Sequence, residues 1–254
     1  MDTHGSDPVE SLVELIAGAG RVAAFTGAGV STLSGIPDFR GPEGLYRRLD
    51  ADRIFAADGF RADPAYFYTH ARDFIYGLEA HQPSVVHRVL ARLERTGRLT
   101  GIATQNIDML HQRAGSRTVI ELHGSPAWHA CPDCPGGAPF AKVVPVVRGG
   151  GLPCCDRCGA VLKPGITFFG DLLPEGALER AAELAASADL LLVLGSSLRV
   201  QPAAGLPWLT LRAGGRLALV NREPTGLDPH CSWRGTDLGA VFDRLEGLLG
   251  PDGS

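Results

Sequence analysis

The chain has 254 residues, 44% of them hydrophobic and 20% charged. That balance suits one large domain, or one domain with a sizeable insertion, and excludes a disordered or fibrous chain. Its 24 basic and 28 acidic residues leave a formal charge of −4, which argues against a broad nucleic-acid surface of clustered Lys and Arg. The opening MDTHGSDPVE is polar and acidic, unlike a secretory signal, and the longest apolar run, residues 188–194, falls far short of the ~20 residues that span a bilayer. The expectation is a soluble, cytoplasmic protein.

In chain order, RVAAFTGAG (residues 21–29) reads as a buried strand entering a glycine turn. Gly27-Ala28-Gly29 supplies the first half of a dinucleotide-binding G-x-G-x-x-G, but Thr32 stands where the third glycine belongs. Residues 41–82 are too long and too aromatic for a simple crossover and predict a helical excursion. Ser84 is a good N-cap for a helix over residues 85–96, with Val86, Val89, Leu90 and Leu93 in one stripe and Gly97 as the stop. TGIATQN (100–106) and RTVIELHG (117–124) predict two further strands. A second helix is expected from near Pro174 through Ala185, followed by strands within residues 188–198 and 215–221. These five runs are apolar throughout, without alternation. They suit a parallel sheet covered on both faces, and hence a doubly wound α/β core.

Five of the six cysteines lie between Cys131 and Cys158. Cys131-Pro-Asp-Cys134 and Cys155-Asp-Arg-Cys158 are two C-x-x-C pairs, each able to present two thiolates from a tight knuckle, and together they predict a tetrahedral zinc site. Four thiolates leave no open position, so the metal is expected to be structural. Cys154 sits beside Cys155 and could replace it, although only Cys155 keeps the two-residue spacing. Such a ribbon could also serve as a binding module in its own right.

In open α/β sheets ligands bind beyond the carboxyl ends of the strands. The residues just past the five predicted strands are Gly27-Ala28-Gly29, then Thr104-Gln105-Asn106-Ile107-Asp108, His123-Gly124, Gly195-Ser196-Ser197 and Asn221. Each alone has a plain structural reading: Asp108 as a helix cap, His123 as a satisfied strand-end histidine, Asp38 and Arg40 as a local ion pair. Their convergence on one edge is the stronger signal.

Taken together, TGAGVSTLSGIPDFRG, TQNIDMLH, ELHG, the paired C-x-x-C, FFGD, GSSL and VN stand in the order and spacing of the sirtuins. The chain resembles that family, its bacterial members above all, from about Val22 to the last helix. The resemblance implies a Rossmann-like NAD-binding domain formed by residues 1–40, 83–124 and 169–254. It also implies a small domain built from a helical insertion (41–82) and a zinc-ribbon insertion (125–168). It implies NAD-dependent removal of an acyl group from protein lysine, with nicotinamide and O-acetyl-ADP-ribose as products.

By the same resemblance His123 is the general base, and Asn106 and Asp108 line the nicotinamide pocket with Ile107 between them. Gln105 holds the nicotinamide ribose, and Phe39 shields the reactive carbon. Gly27, Ala28, Gly29, Thr32 and Asp38 approach the cofactor, and Arg40 meets its pyrophosphate. Gly195, Ser196 and Ser197 serve the phosphates, and Asn221 the adenosine ribose. Thr167 and Phe168 receive the acyl-lysine as an added strand, and Cys131, Cys134, Cys155 and Cys158 hold zinc.

The chain departs from the family at Thr167, often valine, and at Asp171, commonly Glu. It also carries Arg199 and Gln201 where apolar or aromatic residues are frequent. Tyr68 and Arg72 are spaced Tyr-x-x-x-Arg, not the Tyr-x-x-Arg of desuccinylating members, so acetyl or another short uncharged acyl group is expected. An NAD-cleaving ADP-ribosyltransferase or NAD hydrolase is the alternative that the same motifs permit.

Overall fold

The structure is a computed structural model and describes residues 8–38, 44 and 50–249. Its larger sheet contains the five anticipated strands: β1 (Val22–Thr26), β2 (Leu99–Thr104), β3 (Val119–Glu121), β7 (Leu190–Leu194) and β8 (Arg216–Val220). A sixth, β9 (Trp233–Gly235), completes the edge. The order is β3-β2-β1-β7-β8-β9, and every pairing is parallel. At three residues, with arginine at its centre, β9 carries too little apolar pattern to be read from sequence.

The lack of alternation in these strands has the expected cause. In β1, Val22 and Ala24 pack with the helices Pro8–Ala17, Val85–Arg95 and Leu238–Leu248, while Ala23 and Phe25 face the helices Ala177–Ser187 and Leu206–Arg212. Both faces are covered, so both sets must be apolar. The helix after Ser84 runs to Arg95, and Gly97 ends it at φ +74°. The helix expected near Pro174 begins at Ala177 instead.

The second core lies outside this sheet. Short helices at Ala51–Ile54, Ala57–Ala62 and Pro64–Ala71 pack against the three-stranded antiparallel sheet β5-β4-β6 (Gly137–Pro139, Gly124–Ala130, Lys163–Ile166). A helix over Phe140–Arg148 buries Phe140, Val143, Val144 and Val147. This stripe has clean helical spacing within the stretch 125–168, for which a zinc-ribbon insertion and no helix was expected. Phe168 sits at the centre of an aromatic group, its ring 5.1 Å from Phe67, 5.5 Å from Phe60 and 5.9 Å from Phe55. Nothing among the described residues forms a helix long and apolar enough to cross a membrane.

Strand order reverses between β1 and β7, and there the turns that follow the two strands touch backbone to backbone. Gly29 N–H donates to Gly195 O (2.9 Å). A Cβ on Gly29 would lie 2.7 Å from Gly195 Cα, and one on Gly195 would lie 2.8 Å from Gly29 Cα. Gly195 is also left-handed, at φ +61°. Gly195→Ala is therefore expected to destabilise the fold by about 2–4 kcal/mol, combining left-handed strain with overpacking. Gly97→Ala, left-handed but in open space, should cost only about 1 kcal/mol. Urea unfolding of both variants measures the difference, and equal losses would refute the contact as the limiting feature.

Two fully buried histidines, His87 and His111, pack ring against ring beneath β1, centroids 4.6 Å apart. Burial, with a smaller contribution from Arg88, pushes His87 down to about 4; burial and then His87 push His111 well down. The unfolded chain therefore takes up protons near pH 6.5 that the folded chain refuses. Stability from this pair is intact above that pH and declines as pH falls toward the folded values. From His87 alone the loss between pH 6.5 and 5 should be roughly 2 kcal/mol, read by urea unfolding at pH 7 and 5.

Candidate active site

The edge beyond β1, β2, β3 and β7 collects most of the anticipated residues through a connected set of hydrogen bonds. Gln105 Nε2 donates to Ser196 Oγ (2.8 Å), and its carbonyl lies 2.9 Å from His123 Nδ1. A carbonyl can only accept, so His123 Nδ1 carries a proton, and in the neutral ring Nε2 is then the nitrogen that can take one. His123 O in turn accepts from Thr167 N–H (2.9 Å). The following residue must be glycine: Gly124 is left-handed (φ +65°), and a Cβ there would lie 2.0 Å from Gly165 O.

Asn106 and Asp108 meet through a third residue. Asn106 Nδ2 donates to Gly27 O (3.1 Å) and to Ser31 Oγ (3.0 Å), and Ser31 Oγ donates to Asp108 Oδ2 (2.5 Å). Both amide hydrogens of Asn106 are thereby used, which leaves Oδ1 to accept. Asp108 Oδ1 accepts Leu110 N–H (2.9 Å), the first amide of the short helix Leu110–Arg113, although the cap position itself is Met109 and not Asp108. Burial raises the Asp108 carboxyl above the ordinary range, against the lowering effects of Ser31, the Leu110 amide, Arg113 and His81.

Ser31 was missed from sequence. It lies one residue before Thr32, the position that the broken fingerprint singles out, and its signal is only that of a buried hydroxyl in a glycine turn. Thr32 itself is exposed, and its hydroxyl returns to Gly29 O.

Other positions stand further from this network. The space a Cβ would take at Gly27 and Gly29 is filled by the Gly195–Ser196 backbone, so these glycines answer first to chain–chain contact. Ser196 is buried and receives Gln105 Nε2 and Leu198 N–H, while Ser197 is exposed. Asn221 turns its amide to Glu223 O (2.7 Å) at the end of β8. Ala28, Asp38 and Ile107 are half-buried; Phe39 and Arg40 lie outside the described residues.

The added-strand expectation at Thr167 and Phe168 meets a physical constraint. Thr167 N–H goes to His123 O, Phe168 N–H to Asp171 Oδ2 (3.1 Å) and Phe169 N–H to Phe55 O (2.7 Å). These amides have no hydrogen left for a peptide, and the Phe168 side chain belongs to the small-domain core. Asp171, the departure from Glu, also pairs with Lys163 Nζ at 2.9 Å. Tyr68 is buried and its hydroxyl donates to Leu162 O, while Arg72 Nε is buried and Nη2 lies toward Gly150.

In the ribbon, Sγ atoms of Cys131, Cys134, Cys155 and Cys158 all lie within 4.8 Å of one another. Cys131–Cys158 are 3.4 Å apart and Cys134–Cys155 are 3.6 Å apart. A tetrahedron with Zn–S bonds of about 2.3 Å has edges near 3.8 Å, so the four thiols fit zinc. Cys154 is exposed and lies outside the group, its thiol turned to Leu152 O. This decides between the two adjacent cysteines.

The fold and this site define an α/β protein of the dinucleotide-binding type with a structural zinc ribbon. The Sir2 family model matches residues 27–202, and the chain belongs to the Sir2 family. It is 42% identical to an NAD-dependent protein deacetylase of Thermotoga maritima, over 87% of this chain and 89% of the relative. It is likewise 42% identical to NAD-dependent protein deacylase 2 of Archaeoglobus fulgidus, over 88% of each. A solved Sir2–p53 peptide–NAD+ complex superposes with a TM-score of 0.86 at 38% identity, covering 95% of this chain and 98% of that one. A Sir2 bound to a propionylated peptide gives 0.86 at 37%, over 95% and 98%.

The zinc assignment makes a test. Cys155→Ser should lose the single bound zinc and loosen the ribbon, whereas Cys154→Ser should keep both metal and fold, because metal affinity and folding are coupled only through the true ligands. Zinc released to a colorimetric chelator, with thermal unfolding alongside, reads both. Metal loss in Cys154→Ser would overturn the assignment.

Proposed function

We infer that this chain is an NAD-dependent protein-lysine deacylase, acting on acetyl or another short uncharged acyl group. The observation that carries the reading is the tautomer of His123. Its Nδ1–H is committed to Gln105 O, which leaves Nε2 as a base at the strand end where the family motif requires one. The reference pKa of histidine, ~6.5, lets a neutral imidazole accept a proton at physiological pH.

NAD is consumed as a co-substrate. Asn106 Oδ1 and the buried carboxyl of Asp108 receive the nicotinamide carboxamide, with Ile107 against its ring. The bond between nicotinamide and ribose breaks, and the acyl oxygen of the modified lysine captures the anomeric carbon. His123 Nε2 then takes the proton of a ribose hydroxyl, which attacks the resulting imidate. The cyclic adduct expels free lysine, and a water molecule adds to the remaining acyloxonium carbon to give the O-acyl-ADP-ribose. Gln105 and Ser196, already bonded to each other, hold the ribose and phosphate side, with Gly27, Ala28, Gly29, Thr32, Asp38, Gly195 and Ser197 around them and Asn221 at the adenosine ribose. Phe39 covers the reactive carbon and Arg40 meets the pyrophosphate. Zinc, held by Cys131, Cys134, Cys155 and Cys158, supplies only a rigid cross-link within the small domain.

The acyl-lysine enters between the NAD-binding domain, with the proposed bounds 1–40, 83–124 and 169–254, and the small domain, with the proposed bounds 41–82 and 125–168. Thr167 flanks it by side chain and carbonyl. Strand-like pairing of the peptide falls to the segment just beyond Phe169, where Leu172 is 94% exposed, because the amides of Thr167 and Phe168 are taken. The Tyr-x-x-x-Arg spacing of Tyr68 and Arg72, with the Tyr68 hydroxyl bonded to Leu162 O, supports the preference for uncharged acyl groups. A cytoplasmic site of action is the accompanying proposal.

Incubation with NAD and an acetyl-lysine peptide should yield free peptide, nicotinamide and O-acetyl-ADP-ribose by mass spectrometry. His123→Ala should lower turnover by about 10²–10⁴-fold, the range for a general base, while melting like the parent. ADP-ribose transferred to protein without acyl removal would decide for the alternative transferase reading, and a fully active His123→Ala would remove the base assignment.

A further inference from the structure

Beneath the nicotinamide side of the site runs a buried polar chain that the reaction does not use. Asn106 N–H donates to Thr104 Oγ1 (3.0 Å), which also accepts from Thr26 Oγ1 (2.8 Å). Thr26 Oγ1 lies 2.9 Å from His111 Nε2. The His111 ring packs on that of His87, and His87 Nδ1 accepts Ser84 N–H (3.1 Å) and lies 2.8 Å from Ser84 Oγ. Ser84 Oγ in turn donates to Val30 O (3.0 Å). Thr26, Thr104, His111, His87 and Ser84 are all buried.

Ser84 N–H and Ser84 Oγ both face His87 Nδ1. His87 Nε2 and His111 Nδ1 make no hydrogen bond; the two rings meet by packing alone. The chain from His111 Nε2 through Thr26 and Thr104 to Asn106 N–H is continuous whichever nitrogen of His111 carries the proton, because each threonine hydroxyl both donates and accepts. Removing one member leaves a buried polar neighbour unpaired, at the cost of its desolvation.

Both ends of the chain reach the same residue. One arm ends on the main chain of Asn106. The other ends on Val30, next to Ser31, whose hydroxyl accepts from Asn106 Nδ2. We propose that the buried pair His87–His111 is a positioning device for Asn106. His111, through Thr26 and Thr104, sets the main chain at Asn106. His87, through Ser84, sets the short helix Gly29–Thr32 that presents Ser31 to the Asn106 amide. Neither histidine touches a reactant. The proposal rests on the role of Asn106 in the nicotinamide pocket given above.

The test compares His111→Leu, which deletes the ring nitrogen that bonds Thr26, with His111→Gln, whose amide can donate or accept from the same place. Steady-state kinetics with NAD and an acetyl-lysine peptide, plus inhibition by added nicotinamide, separate the contributions. For His111→Leu the KM for NAD and the half-inhibiting nicotinamide concentration should each rise ~10-fold while the peptide KM stays within about 2-fold; His111→Gln should recover most of the change. A merely structural role would lower the melting temperature and the active fraction but leave all three constants where they are. That result, or a parallel rise in peptide KM, overturns the proposal. If His111→Leu does not fold, Thr104→Val decides: it keeps the shape and deletes the hydroxyl that joins His111 to Asn106. The same split supports the device, and parental constants sink it. Failure of the parent to release nicotinamide would refute the pocket itself, a result distinct from either.

Discussion

The site depends first on two loops meeting with no side chain between them. Where the sheet reverses its winding, the turn after β1 and the turn after β7 approach until Gly27 and Gly29 lie against Gly195 and Ser196. Any Cβ there would enter the opposing backbone at under 3 Å. This contact brings Ser196 to Gln105 and Ser31 to Asn106 and Asp108. It also opens the crevice in which doubly wound proteins take dinucleotides. The glycines that look like a phosphate-binding fingerprint are thus required by the fold before any ligand is considered. The third glycine of that fingerprint serves close helix–strand packing, and here the short helix Gly29–Thr32 has Thr32 on its exposed side, where a side chain is tolerated.

From that contact outward, the site is organised as hydrogen bonds passed from residue to residue. Gln105 links Ser196 to His123; His123 links onward to Thr167 at the end of β6. The two cores, one around the parallel sheet and one around Phe168, therefore communicate through the main chain at His123 and not through an apolar interface alone. Aromatic rings around Phe168 hold the small-domain side of this junction, and the Lys163–Asp171 pair closes its loop. A base aligned to a fraction of an ångström needs such support, since catalytic geometry loosens when the surrounding shell is left slack.

Much of this was legible in the residues. Uninterrupted apolar runs announced strands covered on both faces, Ser84 and Gly97 bounded their helix, and the C-x-x-C spacing announced the four-thiol cluster. Strand ends also marked Gln105, Asn106, Asp108, His123 and Ser196. What escaped has identifiable reasons. β9 is too short to have a period. The Phe140–Arg148 helix contains Pro145 and sits among glycines and cysteines that mask its stripe. Ser31, Thr26 and His111 look like ordinary polar residues, because their importance lies in partners some 75 to 85 positions away.

By itself the sequence determined the kind of protein: its layers, its metal ligands and the chemistry offered at the strand ends. Those are local properties, set by periodicity, by spacing within a turn and by residue type. Only the tertiary structure decided which of two adjacent cysteines joins the zinc cluster, which nitrogen of His123 is committed to Gln105 O and which amides near Thr167 are already spent. It also decided that two histidines should stand neutral under the site. Each of these is a question of which donor faces which acceptor once distant segments are packed, and pairing across the fold is not written in neighbouring residues.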